Sequence, residues 1–438
     1  MLGGGTWSLQ NKTLPGAYVN VVSAEQGQAR GERGTVAMAM ELDWGPIGEV
    51  RLITESAFSS NSRELLGYAY EDGAMKPFRE IFRHAQKLYL YRQAKNPVAA
   101  SGSLKSTKFV TAQYPGVRGN RITVQIKNEV DDTSKKDVVT YLDGIQVDTQ
   151  SVKTAAELED NLFVRFEKSV SLEAGSVTLS GGTNGEAITG TEQQAFLDAM
   201  EPYSFDILAS TVQDETTQAL FAAYTNRMRN KVGKKFQCVL YRHSADDEGV
   251  ISVENKVLDD GAKESAMVYW VAGAEAGCAI NTALDNFTYD GEYSIDTAYK
   301  QNQLEDALQS GKFIFHQQGA EVRVLEDINS LVTVTADKNE AFKQNMTIRI
   351  IDEIAADVAN LFNNTYNGKV PNDEDGRVGL KADIVDLMKQ MEKDRAIQDF
   401  NEDDVTIEKG TTAQAVIGTL SVIITGMMTH LYMTVVVQ

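Results

Sequence analysis

The sequence is poor in the side chains that most often carry out catalysis or bind metals. Among 438 residues there are four histidines and two cysteines: His84, His243, His316, His430, Cys238 and Cys278. The histidines show no metal-ligand spacing, and the sequence contains neither a Gly-x-Ser-x-Gly elbow nor a Gly-Lys-Ser/Thr phosphate loop. The sequence therefore predicts no catalytic residue, no metal site and no bound cofactor.

Two of the histidines lie at the ends of predicted strands. His243 follows a strand predicted at 236–241, and His316 ends one predicted at 312–317. Enzymes of the α/β class place functional residues at the carboxyl ends of strands. Because no nucleophile pattern accompanies either histidine, we interpret both as solvated residues rather than catalytic ones.

The shortage of cysteine argues against a disulfide. Cys238 sits in an apolar strand pattern and Cys278 in an Ala/Gly-rich helix pattern, so both are predicted to be buried free thiols. This usage fits a reducing cytoplasm. The N-terminus shows no basic stretch followed by an apolar one, so no secretory signal is predicted.

Basic residues are scarce relative to acidic ones. Lysine and arginine together number 42 and aspartate and glutamate 62, which gives a net charge of −20. A protein that binds nucleic acid generally needs a basic surface, so no nucleic-acid partner is predicted. A net charge of this size suits a soluble protein that is present at high concentration.

An uninterrupted apolar run that could cross a membrane is also missing. Residues 413–437 reach a membrane-spanning length, but polar side chains interrupt them. The interrupting residues are Gln414, Thr419, Ser421, Thr425, Thr429, His430 and Thr434. Residues 416–424 follow the alternating rhythm of a β-strand, so we expect strand structure and no membrane insertion.

What the sequence does have is a strand pattern at each end. The last residues, from Met427 to Gln438, are rich in Val, Thr and Tyr and carry no charge, which favours an extended backbone. An apolar strand at a free end needs an edge to pair with. We therefore expect it to be donated, either to the core of this chain or to a neighbouring subunit. Near the other end, a Pro15-Gly16 turn precedes a second short strand pattern.

The motifs PGAYVNV at 15–21 and LYMTVVV at 431–437 together resemble the contractile tail sheath proteins of bacteriophages and of phage-tail-like particles such as bacteriocins. The resemblance extends over most of the chain, and it rests on the order of these motifs and their placement at the two ends. It implies that both termini are strand arms that link subunits. The arm residues are Tyr18, Val19, Val21, Leu431, Tyr432, Met433, Val435 and Val436.

Composition shifts divide the chain into five segments. Asn96-Pro97 and the glycine-rich Ser180–Gly185 bound the middle segment. The predicted segments are an N-terminal arm at 1–30, a small α+β domain at 31–96, a β-sandwich insertion at 97–182, an α/β domain at 183–328 and a C-terminal α+β assembly domain at 329–438. We expect the insertion to lie on the outside of an assembly and to be replaceable by a short linker.

Hydrophobic periodicity supplies the predicted elements of the first four segments. The small domain has strands at 35–40, 49–54 and 88–91, with helices starting near Asn61 and at Lys76. The insertion has strands at 107–112, 122–127, 138–142 and 177–179, and a brief helix at 154–162. In the α/β segment, helices at 191–200, 214–231, 261–284 and 299–309 alternate with strands at 205–209, 236–241 and 312–317. The predicted fold class is multidomain α/β and α+β, with a central, largely parallel sheet, an inserted β-sandwich and extended terminal arms.

The C-terminal segment contains two predicted amphipathic helices. A strand at 331–334 leads into the first helix, whose apolar residues recur every three or four positions from Phe342 to Leu361. Asn367-Gly368 ends this helix. The second helix spans 379–396, and further strands at 404–408 and 414–425 follow it.

Helix 379–396 carries three lysines that the pattern places away from its apolar stripe: Lys381, Lys389 and Lys393. On an acidic chain these lysines could contact an acidic partner, or they could form a solvated face that pairs with Asp386 and Glu392. The resemblance implies that a helix of the C-terminal domain faces an inner tail tube. We therefore predict that the three lysines face that tube.

The resemblance implies a structural protein without enzymatic activity. Such a protein forms stacked hexameric rings around a tube and contracts without nucleotide to drive the tube through a cell envelope. Its expected partners are further copies of the chain, the inner tail tube protein, and the baseplate and tail terminator proteins. Its expected place is a virion tail or phage-tail-like particle assembled in the bacterial host cytoplasm. From the residues alone, a hydrolase-like α/β enzyme with appended β domains and another self-assembling shell protein also stay open.

Overall fold

A computed structural model describes residues 33–130, 132 and 134–436, and its chain divides into two compact units. The first unit holds the described residues of Met1–Ala37 together with Pro77–Lys87 and Tyr203–Gln438. The second holds Met38–Lys76 and Leu88–Pro202. The five-segment division of the sequence stays a prediction.

The described chain contains a run of strands from Lys87 to Thr178, and α-helices lie mainly before and after that run. The strands are β1 (Thr35–Glu41), β2 (Val50–Thr54), β3 (Lys87–Gln93), β4 (Ser101–Leu104), β5 (Thr107–Ala112), β6 (Ile122–Asn128), β7 (Lys136–Leu142), β8 (Ile145–Val152), β9 (Val164–Phe166), β10 (Gly175–Thr178), β11 (Ile207–Ala209), β12 (Gln237–Tyr241), β13 (Val250–Val253), β14 (Lys312–Phe313), β15 (Phe315–Gln318), β16 (Glu321–Val324), β17 (Ile397–Gln398), β18 (Val405–Lys409), β19 (Val416–Leu420) and β20 (Ile423–Ile424). The α-helices are α1 (Glu55–Leu66), α2 (Lys76–Phe82), α3 (Gly190–Met200), α4 (Glu215–Arg227), α5 (Met267–Gly277), α6 (Gln301–Gln309), α7 (Asn345–Leu361) and α8 (Glu374–Lys393).

The first unit contains a parallel sheet with the strand order β11-β12-β13-β14. Every residue of β12 and β13 is buried, as expected for parallel strands that are covered on both faces. Helix α5 packs against β11 and β12, and α4 packs against β12. The sequence of α5 is apolar nearly all round, which explains why almost the whole helix is buried. The predicted central α/β arrangement is confirmed.

The end of the first unit is the predicted α+β region. Helix α7 places Met346, Ile350 and Ile354 in one hydrophobic cluster with Met388 and Met391 of α8. Two small antiparallel pairs, β17 with β20 and β18 with β19, complete this region. The sequence shows this spacing of apolar residues at three and four positions, so both predicted helices form, although their bounds differ from those predicted.

The second unit contains the predicted β-sandwich. Strands β10-β6-β7-β8 form one antiparallel sheet, strands β4-β5-β9 form another, and buried residues of both share one core. Trp44 also belongs to this core and is only 1% exposed, although it precedes the predicted insertion in the sequence. Its ring stacks on Phe163 at 6.1 Å and meets Tyr114 edge-on at 5.3 Å. The sandwich therefore shares its core with the segment before it.

The start of the first long helix differs from the prediction. Helix α1 begins at Glu55, where the Thr54 side chain accepts a hydrogen bond from the backbone N–H of Ala57, rather than near Asn61. Asn61 has non-helical dihedrals inside α1 and marks a kink. Asn61, where the sequence predicted a helix start, thus lies at a bend inside the helix, because asparagine offers the backbone an alternative to helical bonding.

The helix predicted at 154–162 does not form. Only a 3₁₀ turn at Ala155–Glu157 is present. The Asn161 Oδ1 atom accepts hydrogen bonds from the backbone N–H groups of Phe163 and Val164, both at 2.9 Å. These local bonds compete with helical ones and hold the segment as a loop.

The predicted strand at 331–334 is also absent. In place of a strand partner, the Asp246 carboxylate accepts hydrogen bonds from the backbone N–H groups of Val332 and Thr333, at 2.7 and 2.8 Å. The strand predicted at 312–317 is interrupted at Ile314, and its two parts, β14 and β15, belong to different sheets. Side-chain bonding and sheet membership are tertiary effects that propensity does not contain.

The two cysteines are free and buried, as predicted. Burial raises the pKa of the Cys238 thiol to about 12, so this side chain stays neutral. Among the described residues, no helix has the length and apolar character that a membrane crossing requires.

Candidate assembly surfaces

The C-terminal arm, defined as residues 426–436, is exposed and makes no strand pairing with the rest of the described chain. Its base is fixed, because β20 pairs with β17 and the Thr425 backbone N–H donates to the Ala396 carbonyl at 2.8 Å. Its large side chains lie in solvent, with Leu431 83% and Tyr432 91% exposed. Residues 427–436 form no strand here and pair with no other described residue, so they are not donated to the described core of this chain.

The other predicted arm residues are either exposed in the C-terminal arm or lie outside the described residues. Met433, Val435 and Val436 are each more than two-thirds exposed in the C-terminal arm. Tyr18, Val19 and Val21 fall outside the described residues. The role of all of them between subunits stays a prediction.

The hairpin of β18 and β19 has two open edges. Its strands pair antiparallel from Val405 with Leu420 to Lys409 with Val416, and in the described chain neither strand has a second strand partner. One face packs on α8, where Val405 joins a cluster with Leu380 and Ile384. Packing on α8 stabilises this two-stranded sheet, which by itself would be only marginally stable in water, and leaves both strand edges open.

A polar contact holds the hairpin turn against the start of α8. The Asn372 Nδ2 atom donates to the carbonyls of Ala413 and Ala415, at 3.0 and 2.8 Å. Arg377 in turn donates to the Asn372 backbone and side-chain oxygens, both at 3.1 Å. The hairpin is thus fixed in place while its two edges stay open. Neither this contact nor the edges carry a sequence motif, so sequence reasoning predicted the strands but not an acceptor site.

Helix α8 begins at Glu374, earlier than the predicted 379, because Asp373 caps it with a side-chain bond from the backbone N–H of Gly376 at 2.9 Å. Its buried face is formed by Leu380, Ile384, Val385, Met388 and Met391.

The three predicted lysines do not share one free face of α8. Lys381 is half-buried beside the apolar stripe. Lys389 is exposed and pairs with Glu402 at 2.5 Å, and this hydrogen bond raises the lysine pKa. Lys393 is exposed. The prediction that all three point away from the stripe is therefore wrong for Lys381, because the buried face includes Val385 and Met388 as well as the residues that the pattern identified.

Carboxylates lie beside these lysines. A groove of about 400 Å³ runs between α7 and α8, and Asp357, Asp383 and Asp386 line it together with Leu387. The Tyr366 hydroxyl donates to Asp383 at 2.5 Å. The outer surface of α8 is consequently of mixed charge rather than uniformly basic.

The structure brings no catalytic arrangement to the two strand-end histidines. His243 follows β12, and burial lowers its pKa. His316 lies in β15, and burial together with Arg323 lowers its pKa. Within the described part of the chain, no group of three or more His, Cys, Asp or Glu side chains could hold a metal ion.

The described chain is a multidomain α/β and α+β protein with a β-sandwich, an exposed C-terminal arm and a two-stranded sheet with open edges. Comparison with known proteins is more specific. The chain matches four domains in order: "Tail sheath protein Gp18 domain III N-terminal region" at 33–92, "Phage tail sheath protein beta-sandwich domain" at 96–184, "Phage tail sheath protein central domain" at 186–330 and "Phage tail sheath C-terminal domain" at 337–438.

Relatives extend over nearly the full chain. The chain is 33% identical over 441 residues to the uncharacterized protein YqbK of Bacillus subtilis, covering 93% of each. It superposes on the crystal structure of the sheath tail protein of Desulfitobacterium hafniense with a TM-score of 0.80 at 34% identity, covering 90% of this chain and 93% of that one. The chain belongs to the phage tail sheath protein family, as the sequence resemblance implied.

A more distant likeness is one of fold. The contracted helical sheath of the anti-feeding prophage aligns with a TM-score of 0.53 at 12% identity, over 97% of this chain and 99% of that chain. The two chains therefore share their fold over nearly their whole lengths.

Proposed function

We propose that the chain is the structural subunit of a contractile tail sheath. In this proposal it polymerises as stacked hexameric rings around an inner tail tube, and it contracts to drive the tube through a target cell envelope. Membership of the sheath family and the fold shared with a contracted sheath support it. The subunit has no enzymatic role, because the free energy stored in the extended assembly replaces fuel hydrolysis.

One observation carries the proposal: an exposed arm, whose sequence favours a strand, and a hairpin with open edges occur in the same region of the described chain. Fully extended, residues 426–436 span roughly 36–40 Å, which is enough to cross to another subunit. Pairing with an edge of a neighbour's β18–β19 hairpin would satisfy backbone groups on both partners and bury the apolar side chains of the arm.

Two edges call for two donated strands. The C-terminal arm of one copy, with Leu431 to Val436, fills one edge. The N-terminal strand pattern of another copy, with Tyr18, Val19 and Val21, fills the other. Strands exchanged in this way act as tethers that persist while the globular parts of subunits rotate and repack during contraction.

The remaining elements of the proposal follow from the same assembly. The partners are further copies, the inner tail tube protein, and the baseplate and tail terminator proteins. The sandwich segment lies on the outside, and the particle is a virion tail or phage-tail-like particle assembled in the host cytoplasm. Electron microscopy of the purified chain separates this proposal from its alternatives: helical tubes support it, closed shells or planar lattices indicate another shell protein, and monomers with turnover indicate an enzyme.

Removing the arm is expected to abolish tube formation. Deletion of Leu431–Gln438 removes only exposed residues and residues outside the described chain, so the protein should stay folded and soluble. A matched control is Gly426→Ala at the base of the arm, where a Cβ would meet nothing within 4 Å. Sedimentation and electron microscopy measure assembly, and circular dichroism measures folding. Normal tubes from the truncated chain would exclude the inter-subunit role.

Proline substitutions refine this test. In a strand added to one edge, alternate N–H groups point towards the partner. Of Val435→Pro and Val436→Pro, one removes a ladder bond and the other removes an N–H that faces away. The two variants should therefore differ in assembly, whereas a disordered tail predicts that they behave alike.

The lysine contact with the tube is proposed for Lys389 and Lys393, which are exposed. Changing both to glutamate should weaken co-assembly with the tube protein, most strongly at low salt, where repulsion is least screened. The fold should be unaffected, because exposed ion pairs contribute little to stability. The matched control is Lys127→Glu with Lys153→Glu, which makes the same change in net charge at exposed sandwich positions. Equal tube binding by the two double variants at all salt concentrations would place the contact elsewhere.

A further inference from the structure

Helix α7 carries polar side chains that are as deeply buried as its apolar ones. Asn345 is completely buried and Arg349 is 2% exposed. They contact two carboxyl groups that are themselves completely buried, Glu275 of α5 and Asp327. These four side chains, all in the first unit, are called the carboxyl cluster below.

The same two α7 side chains bridge both carboxyl groups. Asn345 Nδ2 donates to Glu275 Oε1 at 3.0 Å and to Asp327 Oδ1 at 2.8 Å. The Arg349 guanidinium donates to the second oxygen of each group, to Glu275 Oε2 and, at 2.9 Å, to Asp327 Oδ2. Because Asn345 donates to one oxygen of each carboxyl group and Arg349 to the other, the two carboxyl groups lie close together.

The charges of the cluster do not balance if both carboxyl groups are ionised. One guanidinium and two carboxylates leave one negative charge in a site without solvent, and an uncompensated buried charge costs several kcal/mol. Two carboxyl groups that share one site relieve this by keeping a proton between them. We propose that Glu275 keeps its proton at neutral pH, and that the neutral cluster locks α7, with the C-terminal region that follows it, onto α5.

Two features assign the proton to Glu275 rather than to Asp327. Asp327 Oδ2 accepts an additional hydrogen bond from the backbone N–H of Leu284 at 3.0 Å, which favours its charged form. Glu275 lies in the last turn of α5, where the helix dipole disfavours a negative charge.

The charge of Arg33 alone would lower the pKa of Glu275, but Asp206 offsets that charge. Arg33 is the other cation near Glu275, but its guanidinium donates to the carbonyls of Glu275 and Cys278, both at 3.2 Å, and pairs with Asp206 at 3.5 Å. The Cys278 thiol is kept neutral, because burial raises its pKa.

Further carboxyl groups lie on the Asp327 side of the cluster. Asp285 accepts a hydrogen bond from the Asp327 backbone N–H at 2.8 Å. Burial raises the pKa of Asp285 to about 6, and the negative charge of Glu326 helps to raise it. These groups make a second full negative charge in the cluster less favourable.

The pKa directions agree with this assignment. Burial and the neighbouring Asp327 raise the pKa of Glu275 well above its usual value. Burial alone would raise the pKa of Asp327, but Arg349 and the hydrogen bonds to this carboxylate hold it below its usual value. A carboxyl whose pKa is raised by folding stabilises the fold fully below its unfolded pKa. That stabilisation is lost as the pH rises from the unfolded pKa through the raised one.

Comparison of the full chain with Glu275→Gln tests the lock. Glutamine keeps the size of the side chain and is neutral at every pH. In urea unfolding between pH 5 and pH 8, the unfolding constant of the wild type relative to the variant should rise by up to about tenfold per pH unit, the limit for one proton. Infrared spectra at neutral pH should show a protonated carboxyl stretch in the wild type that is missing from Glu275→Gln.

Two further variants serve as controls. Asp285→Asn removes the neighbouring carboxyl that titrates near pH 6, and it should leave the infrared band in place. Asp327→Asn leaves Glu275 as the carboxyl group that balances Arg349, so Glu275 should ionise and the protonated carboxyl stretch should be missing at neutral pH. Parallel pH dependence of the wild type and Glu275→Gln would overturn the proposal. If Glu275→Gln fails to fold, a wild-type spectrum without a protonated carboxyl stretch at neutral pH would overturn it equally.

Discussion

Replacing Gly273 by alanine is expected to destabilise the chain by about 2–4 kcal/mol. Gly273 lies in α5, and a Cβ at this position would come closer than 3.0 Å to the backbone carbonyl oxygen of Ile81 in α2. A backbone atom cannot rotate away as the end of a flexible side chain can. Gly277, four residues later, has the same relation to the carbonyl oxygen of His84. Alanine at 273 would therefore push two backbone segments apart.

The surroundings make this separation costly. His84 Nε2 and Trp270 Nε1 both bond to Asp290 Oδ1, at 3.0 and 2.9 Å. One turn earlier in α2, the buried Glu80 accepts a hydrogen bond from the Tyr289 hydroxyl at 2.9 Å. Moving α2 away from α5 would stretch these bonds as well as open the apolar contact, so the site has little room to relax.

Urea unfolding of Gly273→Ala beside Gly190→Ala gives the measurement and its control. Gly190 begins α3, and a Cβ there would meet nothing within 4 Å. Because alanine favours helix over glycine, Gly190→Ala should be neutral or up to about 1 kcal/mol more stable. Equal stability of the two variants would show that α5 adjusts its spacing freely, and the close approach would then have no energetic weight.

Elements with a clear hydrophobic period could be predicted from the sequence. Helix α7 follows its apolar spacing, and the alternation of strands and helices from β11 onwards correctly indicated a parallel sheet. Helix α5 illustrates the limit. It is buried on nearly every side, so no polar face marks its ends, and the predicted 261–284 extends beyond the observed Met267–Gly277 in both directions. The contact with Ile81 that requires Gly273 joins residues far apart in sequence and leaves no local signal.

Among the candidate assembly surfaces, too, some features could be predicted from the sequence and others could not. An arm from Leu431 to Val436 could be predicted because its uncharged residues favour an extended backbone, and its role between subunits stays a prediction. The acceptor edges could not, because an edge is defined by the strand that is missing beside it. Lys381 shows a third case: its place beside the apolar stripe depends on Val385 and Met388, which pack inwards only in the folded chain.

Replacing residues 98–180 by a short Gly/Ser bridge is expected to fail while Trp44 is present. The sequence alone suggested a removable insertion, but Trp44 fills the core of the sandwich. Deleting the sandwich would leave the large apolar side chain of Trp44 exposed to solvent, which favours aggregation. The deletion should yield soluble, folded protein only when Trp44 is also changed to serine. Solubility and circular dichroism of the two deletion proteins, with and without Trp44→Ser, measure this difference.

The full chain gives the matching single substitution. Trp44→Ala should cost about 3–5 kcal/mol, because it leaves a large cavity against Phe163 and Tyr114. Leu52→Ala in the same unit is the control, since Leu52 is 53% exposed and its loss should change stability little.

Polar contacts also join the sandwich to the segment before it. Arg92 donates to the carbonyls of Leu42 and Pro115, both at 2.8 Å, and Arg118 lies 4.0 Å from the centre of the Tyr68 ring. The deletion would remove Pro115 and Arg118, and with them one of the hydrogen bonds of Arg92 and the cation–π contact with Tyr68. The deletion protein that also carries Trp44→Ser should therefore fold, but it should be less stable than the wild type. If the deletion protein with Trp44 intact were as stable and soluble as the wild type, the sandwich would be an independent insertion and the shared core would carry no stability.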